Sequence, residues 1–375
     1  MKVEEFVYDL YKSGIETIAG IPDSTLNQFC NYIENEGNNL FKTHIVTENE
    51  GGAVGIAIGE YLATGKTACV YMQNSGLGNI VNPVTSLAHH DVYGIPILFL
   101  IGWRGEPGIK DEPQHKFMGK ITIGMLELLE INYSIIDYKT PQEELNDIFK
   151  KAKESFSRNE QFAIVIKPGT FDTKKLCAYK NEHELTREDA IRQIVRWMQE
   201  EDLTVSTTGK ISRELYEQMD SVKGNHKQVF LTVGGMGHAK MIAYGIAQRR
   251  KRKRIICLDG DGAVLMHMGG LAMIGRHPLN NLVHICLDNE AHESVGGMPT
   301  GAAGMDYCKI AQDSGYPYVY EVSTKADLLK TLGEVRNRKK LSFIHIKVAI
   351  ESRENLVRPK ESPEENKRAF MSMME

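Results

Sequence analysis

Short runs rich in β-branched residues alternate with helical stretches from one end of this sequence to the other. A parallel sheet covered by helices on both faces requires that alternation, and few other architectures tolerate it. In the first half, strands are expected near Glu16–Gly20, Thr43–Thr47, Thr67–Gln73, Ile95–Ile101, Tyr133–Asp137 and Phe162–Lys167. After a polar stretch, Lys174–Leu185, the rhythm resumes with strands near Leu203–Thr207, Val229–Thr232, Arg254–Asp259, Leu282–Asp288, Tyr318–Val322 and Ser342–Val348. The chain is therefore read as two α/β domains, 1–180 and 181–350, followed by a charged tail, 351–375, whose prolines point to an extended surface arm. A length of 375 residues has room for two domains of ordinary size.

Composition narrows the partners. With 45 basic and 49 acidic residues the formal net charge is −4, so no global field draws the chain to nucleic acid or anionic lipid. The run Arg249–Arg254 looks like a nucleic-acid patch, but it sits between a helix and a buried strand and reads better as a cationic helix end. Met1–Glu5 shows no apolar signal segment, and Ile95–Trp103 is far shorter than the roughly 20 residues of a membrane span, so a cytoplasmic protein is expected. The scattered Cys30, Cys69, Cys177, Cys257, Cys286 and Cys308 read as reduced core thiols. Adjacent His89 and His90 have no evident third ligand and are not taken as a metal site.

Ligands of open α/β sheets bind outside the carboxyl ends of the strands. The strand ending at Leu258 runs into Asp259-Gly260-Asp261-Gly262, and the strand ending at Leu287 runs into Asp288-Asn289-Glu290-Ala291-His292. Each fragment alone is a tight turn or a helix cap. At adjacent strand ends, however, the Asp261 carboxylate and the Asn289 amide oxygen would meet as hard oxygen ligands suited to Mg²⁺, with the Ala291 carbonyl as a third. Mg²⁺ keeps waters and substrate phosphates as its other ligands, so a diphosphate is implied.

That pair of motifs resembles the cofactor signature of thiamine diphosphate enzymes, from which it departs at Asp288, where the family has Asn. The resemblance implies two thiamine diphosphate-binding-fold domains, the N-terminal one holding the pyrimidine and the C-terminal one the diphosphate and Mg²⁺. It also implies a homo-oligomer, dimer or larger, with sites between subunits. Thr47–Val54 followed by Gly59–Lys66 looks like the family's turn carrying the carboxylate that faces N1′ of the aminopyrimidine, and counting back from Gly59 selects Glu50 rather than Glu48. Gly234–His238 resembles the element that keeps the cofactor bent, with Met236 as the wedge. Gly235, Gly260 and Gly262 would give the diphosphate backbone donors and room, and Ser75-Gly76 would lie beside the pyrimidine.

The chain has no room for the central domain of acetolactate synthase or pyruvate decarboxylase. Ile21–Ser24, Tyr71–Asn79, Ile101–Gly108, Lys110–His115 and Ala291–Gly297 look like the phosphonopyruvate decarboxylase family and its close relatives, the sulfopyruvate decarboxylases. The expected reaction is decarboxylation of 3-phosphonopyruvate to phosphonoacetaldehyde and CO2, with sulfopyruvate decarboxylation, or a non-catalytic subunit of the same fold, as alternatives. A doubly anionic substrate needs cations and oriented donors, which makes Asp23, Ser24, Arg104, Lys110 and His115 the candidate substrate residues. Ser24 also reads as a plain helix N-cap. His292 is the candidate proton donor, on the expectation of a pKa near neutrality. A dinucleotide enzyme is disfavoured because Gly260-Asp261-Gly262 lacks a third glycine, and an iron–sulfur oxidoreductase because no cysteines show cluster spacing.

Overall fold

The computed structural model describes residues 1–172, 179–295, 297–353 and 355–374. Residues 174–178 of the expected boundary, and with them Cys177, lie outside that set, as does Gly296. The chain divides into two compact units, Met1–Tyr179 with His292–Met298, and Lys180–Ala291 with Pro299–Glu375.

In the first unit the strands are β1 (Thr17–Gly20), β2 (Thr43–Val46), β3 (Ala68–Gln73), β4 (Ile97–Gly102), β5 (Asn132–Ile136) and β6 (Phe162–Ile166). They form one parallel sheet in the order β2-β1-β3-β4-β6-β5. The helices are α1 (Val3–Lys12), α2 (Asn27–Asn35), α3 (Glu50–Thr64), α4 (Leu77–Pro83), α5 (Pro113–Leu128) and α6 (Gln142–Ser157). Strand β4 shows why a fully apolar run suits this position. Leu98 and Leu100 enter the core built with α1, α2 and α6, whereas Ile97, Phe99 and Ile101 enter the one built with α3, α4 and α5.

The second unit has strands β7 (Leu203–Ser206), β8 (Val229–Leu231), β9 (Ile255–Gly260) and β10 (Leu282–Asp288). After the short pair β11 (Ala291–His292) and β12 (Met298–Pro299) come β13 (Tyr318–Val322) and β14 (Ser342–Lys347). Its main sheet runs β13-β14-β10-β9-β7-β8 and is parallel throughout. Read from the other edge, that is the connectivity of the first sheet, as a duplicated unit requires. Helices α7 (Arg187–Trp197), α8 (Lys210–Lys223) and α13 (Lys325–Arg338) cover one face. Helices α9 (Ala239–Arg249), α11 (Gly269–Arg276), α12 (Tyr307–Asp313) and α14 (Pro363–Ser372) cover the other, and α10 (Asp261–Met266) starts at the turn after β9. The basic run follows α9, and its last residue, Arg254, pairs with Asp202 at 2.6 Å and stacks over Trp197 at 4.1 Å. Among the described residues no helix is long and apolar enough to cross a membrane.

The tail corrects the sequence reading. It carries α14, opened by a capping box in which Ser362 and Glu365 bond each other's backbone with Pro363 at the first position. Phe370 is buried in the core, and the Asn366 amide accepts from Leu231 N at 3.1 Å and donates to Val229 O at 2.9 Å. The side chain thus substitutes for a neighbouring strand along edge strand β8. Asn366→Leu is expected to destabilise the chain by about 1–3 kcal/mol, because both backbone groups lose their partner; urea denaturation of the full chain measures it, and an unchanged midpoint would refute that role.

Candidate functional site

Each unit carries a cluster of polar side chains at the carboxyl ends of its strands. In the first, Asn49 caps α3 through a 2.9 Å bond from Gly52 N, which places Glu50 at the first helical position. Glu50 is only 6% exposed, whereas Glu48 lies at the surface. The Glu50 carboxylate accepts a 2.6 Å hydrogen bond from Asn79 Nδ2. A Cβ on Gly76 would fall 2.5 Å from Glu50 Oε1, so only glycine lets the turn after β3 close against that carboxylate. Ser75 is exposed and accepts from Gln73 Nε2 at 2.6 Å.

Beside this turn the loop after β4 is folded back on itself. Arg104 donates through Nε and Nη2 to Asp111 at 2.8 and 2.6 Å and through Nη1 to Ser24 Oγ at 2.6 Å. Asn74 holds the Arg104 backbone from both sides, donating to its carbonyl at 2.8 Å and accepting from its N–H at 3.2 Å. Trp103 Nε1 donates to Gly119 O at 2.9 Å. His115 is half-buried, and burial and then the Arg104 charge hold its imidazole below the usual range; Lys110 is exposed.

Ser24 is not a helix cap, since α2 begins at Asn27 without a side-chain cap; in the turn before it Asp23 Oδ2 accepts from Thr25 N at 2.9 Å and Leu26 N at 3.2 Å. Asp23 is 1% exposed, its Oδ1 is buried with no hydrogen-bond partner, and a Cβ on Gly102 would fall 2.1 Å from its Oδ2. Burial pushes its carboxyl up to about 6 against the opposing pull of Arg104.

In the second unit, Gly260 of β9 pairs with Leu287 of β10, so Asp261 and the Asp288-Asn289 turn leave adjacent strand ends. Asp261 is buried and accepts from Thr300 Oγ1 at 2.6 Å; burial, then the charge of Asp288, pushes its carboxyl up to about 7. Asp288 cannot take its place as a ligand without breaking bonds, since Oδ2 meets His345 Nε2 at 2.8 Å and Oδ1 accepts from Glu290 N at 2.9 Å. Glu290 adopts φ 60°, the left-handed turn that lets the chain double back after Asn289. Asn289 is buried, and its Oδ1 accepts from Ala291 N at 3.3 Å. A buried carboxylate that resists ionisation, beside a neutral amide oxygen, is a donor set that fits a hard divalent cation.

Met236 is half-buried in a turn where Gly235 and Gly237 have φ 66° and 84°. Behind it lies a group that sequence reasoning missed. Lys240 is fully buried and donates to Gly237 O at 2.9 Å, to Ala263 O at 3.1 Å and to Asp259 Oδ2 at 3.5 Å, tying the glycine turn to the start of α10. His284 meets the same Asp259 oxygen at 3.4 Å. Burial pushes the Asp259 carboxyl up, but the His284 hydrogen bond and the Lys240 charge outweigh it and hold it below the carboxylate range. Lys240→Met should lower stability by about 3–5 kcal/mol by leaving a buried charge unpaired, and adding Asp259→Asn should restore much of it. Urea titration of both variants decides, and equal loss in the double variant would sink the pairing.

His292 is half-buried beside the Asn289 turn, and burial pushes its imidazole down to about 4. His89 and His90 do have a third group, Glu130 Oε2, at 3.4 and 3.9 Å, but His89 Nδ1 accepts from Asp91 N, which leaves its proton on the nitrogen facing Glu130.

Residues 1–125 match the family model described as "Thiamine pyrophosphate enzyme, N-terminal TPP binding domain", and residues 207–346 match "Thiamine pyrophosphate enzyme, C-terminal TPP binding domain". A phosphonopyruvate decarboxylase of Streptomyces viridochromogenes is 34% identical over 99% of this chain and 94% of that protein. One from Streptomyces hygroscopicus is 34% identical over 95% of this chain and 90% of its own length. A sulfopyruvate decarboxylase of Methanosarcina acetivorans is 28% identical over 92% of this chain and 90% of its own length. With that identity sustained from end to end, the chain belongs to the phosphonopyruvate decarboxylase family of thiamine pyrophosphate enzymes.

Proposed function

We propose that this protein catalyses the thiamine diphosphate- and Mg²⁺-dependent decarboxylation of 3-phosphonopyruvate to phosphonoacetaldehyde and CO2. The observation that carries the reading is the buried Glu50 carboxylate, closed in by Asn79 and Gly76, in a chain of this family. When bound, thiamine diphosphate supplies the nucleophile and the electron sink that decarboxylation of a 2-oxo acid needs. Glu50 holds a proton at N1′ of the pyrimidine, and Asn79 fixes the direction of its carboxylate. Ser75 and Gly76 line the same place. Asp261, Asn289 and the Ala291 carbonyl would hold Mg²⁺, Gly235, Gly260 and Gly262 would give the diphosphate backbone donors and room, and Met236 would serve as the wedge.

The substrate's two acidic groups fall to Ser24, Arg104, Lys110 and His115. Arg104 engages three of the five guanidinium N–H donors in its bonds to Asp111 and Ser24, so it arrives oriented with donors to spare. Asp23, whose carboxyl burial pushes up to about 6, joins His292 as a group to supply the exchangeable proton. Residues 1–180 form the pyrimidine domain and 181–350 the diphosphate domain. A cytoplasmic homo-oligomer, dimer or larger, completes the proposal; relatives named as sulfopyruvate decarboxylase subunits alpha and beta, matching 44% and 35% of the chain, support assembly.

The test is kcat/KM for phosphonopyruvate and sulfopyruvate side by side with Mg²⁺ and thiamine diphosphate, reading aldehyde through a coupled reductase. Preference for phosphonopyruvate is expected. Preference for sulfopyruvate would move the protein to the sister activity, and turnover of neither would leave a non-catalytic subunit.

A further inference from the structure

Away from the residues assigned to cofactor and substrate, three side chains of the second unit converge without any spacing that would announce them. Cys308 comes from α12, Glu321 from β13 and His345 from β14, and a ligand atom of each lies within 4.8 Å of the others. Glu321 and His345 are direct partners in the parallel register, so both point to the face on which α12 lies. The Asp288 carboxylate can only accept, so its 2.8 Å contact places a proton on His345 Nε2 and turns the Nδ1 lone pair toward Glu321 Oε2, 3.9 Å away. His345 is 1% exposed, and Nδ1 is buried with no hydrogen-bond partner. A histidine oriented by a carboxylate on one nitrogen and unsatisfied on the other is the arrangement that metal-binding histidines share.

We propose that Cys308, Glu321 and His345 form a binding site for a thiophilic divalent cation of the zinc type. Thiolate, imidazole and carboxylate are a zinc donor set, and the half-exposed side of Glu321 leaves entry for the ion and a fourth ligand. Binding releases the Cys308 proton to solvent. Without an ion, burial and then the Glu321 charge push that thiol up to about 12, and a cation between the two reverses both effects. Glu321 Oε2 presently accepts from Lys347 Nζ at 3.1 Å, an exposed pair that yields easily to a divalent ion. The neighbouring cluster of Cys257, Asp259 and His284 has no such capacity, because Lys240 already occupies the Asp259 carboxylate.

Cobalt(II) is the probe, titrated into chelator-treated full-length protein. The expected result is one equivalent bound with a thiolate-to-cobalt charge-transfer band, which oxygen ligation at Asp261 and Asn289 cannot produce. Cys308→Ser should abolish the band and leave decarboxylase turnover unchanged, and Glu321→Gln should weaken cobalt affinity by roughly tenfold or more. Absence of the band in the unaltered protein, or its survival in Cys308→Ser, would overturn the proposal. Glu321 lies at the surface, so unchanged affinity in Glu321→Gln overturns it even where the cysteine variant folds poorly.

Discussion

Glu50→Gln is expected to leave thiamine diphosphate bound while turnover falls by about 10²–10⁴-fold. Glutamine preserves the volume of the side chain, and its amide oxygen can still accept the 2.6 Å bond from Asn79. The contact with Gly76 tolerates a planar group of the same size. What the amide cannot do is hold and release a proton at N1′, so the loss should appear in kcat and not in cofactor affinity. Steady-state kinetics with a parallel cofactor titration followed by intrinsic fluorescence separates the two. Undiminished turnover would remove Glu50 from the mechanism, and equal loss of cofactor affinity would reduce it to a packing residue.

The complementary result is expected at Asp261→Ala, where Mg²⁺-dependent cofactor affinity should fall by at least about 100-fold. Asp288 does not compensate, since His345 and Glu290 N already occupy its two oxygens, and Asn289 alone offers a neutral ligand. Calorimetric titration of thiamine diphosphate with Mg²⁺, and again after chelation, reads the change. Affinity that survives the substitution and still depends on Mg²⁺ would place the ion elsewhere.

Much of this molecule was legible before its structure. The strands of the two large sheets lie within a few residues of the β-branched runs, most plainly at β3, β4, β9 and β10, because strands buried on both faces are written as nearly continuous apolar segments. Strand-end carboxylates stood out for the same reason, as Asp261 follows directly on such a run. The losses have physical causes. Lys240, Asp259 and His284 come from α9, β9 and β10, and no spacing in the chain foretells that three ionisable groups meet in a dry core. Cys308, Glu321 and His345 hid in the same way. The tail helix was a different failure: Ser362-Pro363-Glu364-Glu365 is a complete helix-start signal, hidden by prolines and charges that suggest an extended arm.

The tie between Lys240 and Asp259 also limits how sequences of this kind can diverge. Loss of either ionisable partner leaves the other buried away from solvent and unpaired, so an intermediate with one of them altered loses about 3–5 kcal/mol, a large share of a domain's stability. His284 shares the Asp259 oxygen and is bound into the same constraint. Among homologues these three positions are therefore expected to change together or not at all, and a lineage that abandons them needs a different way to fasten its glycine turn to the start of α10.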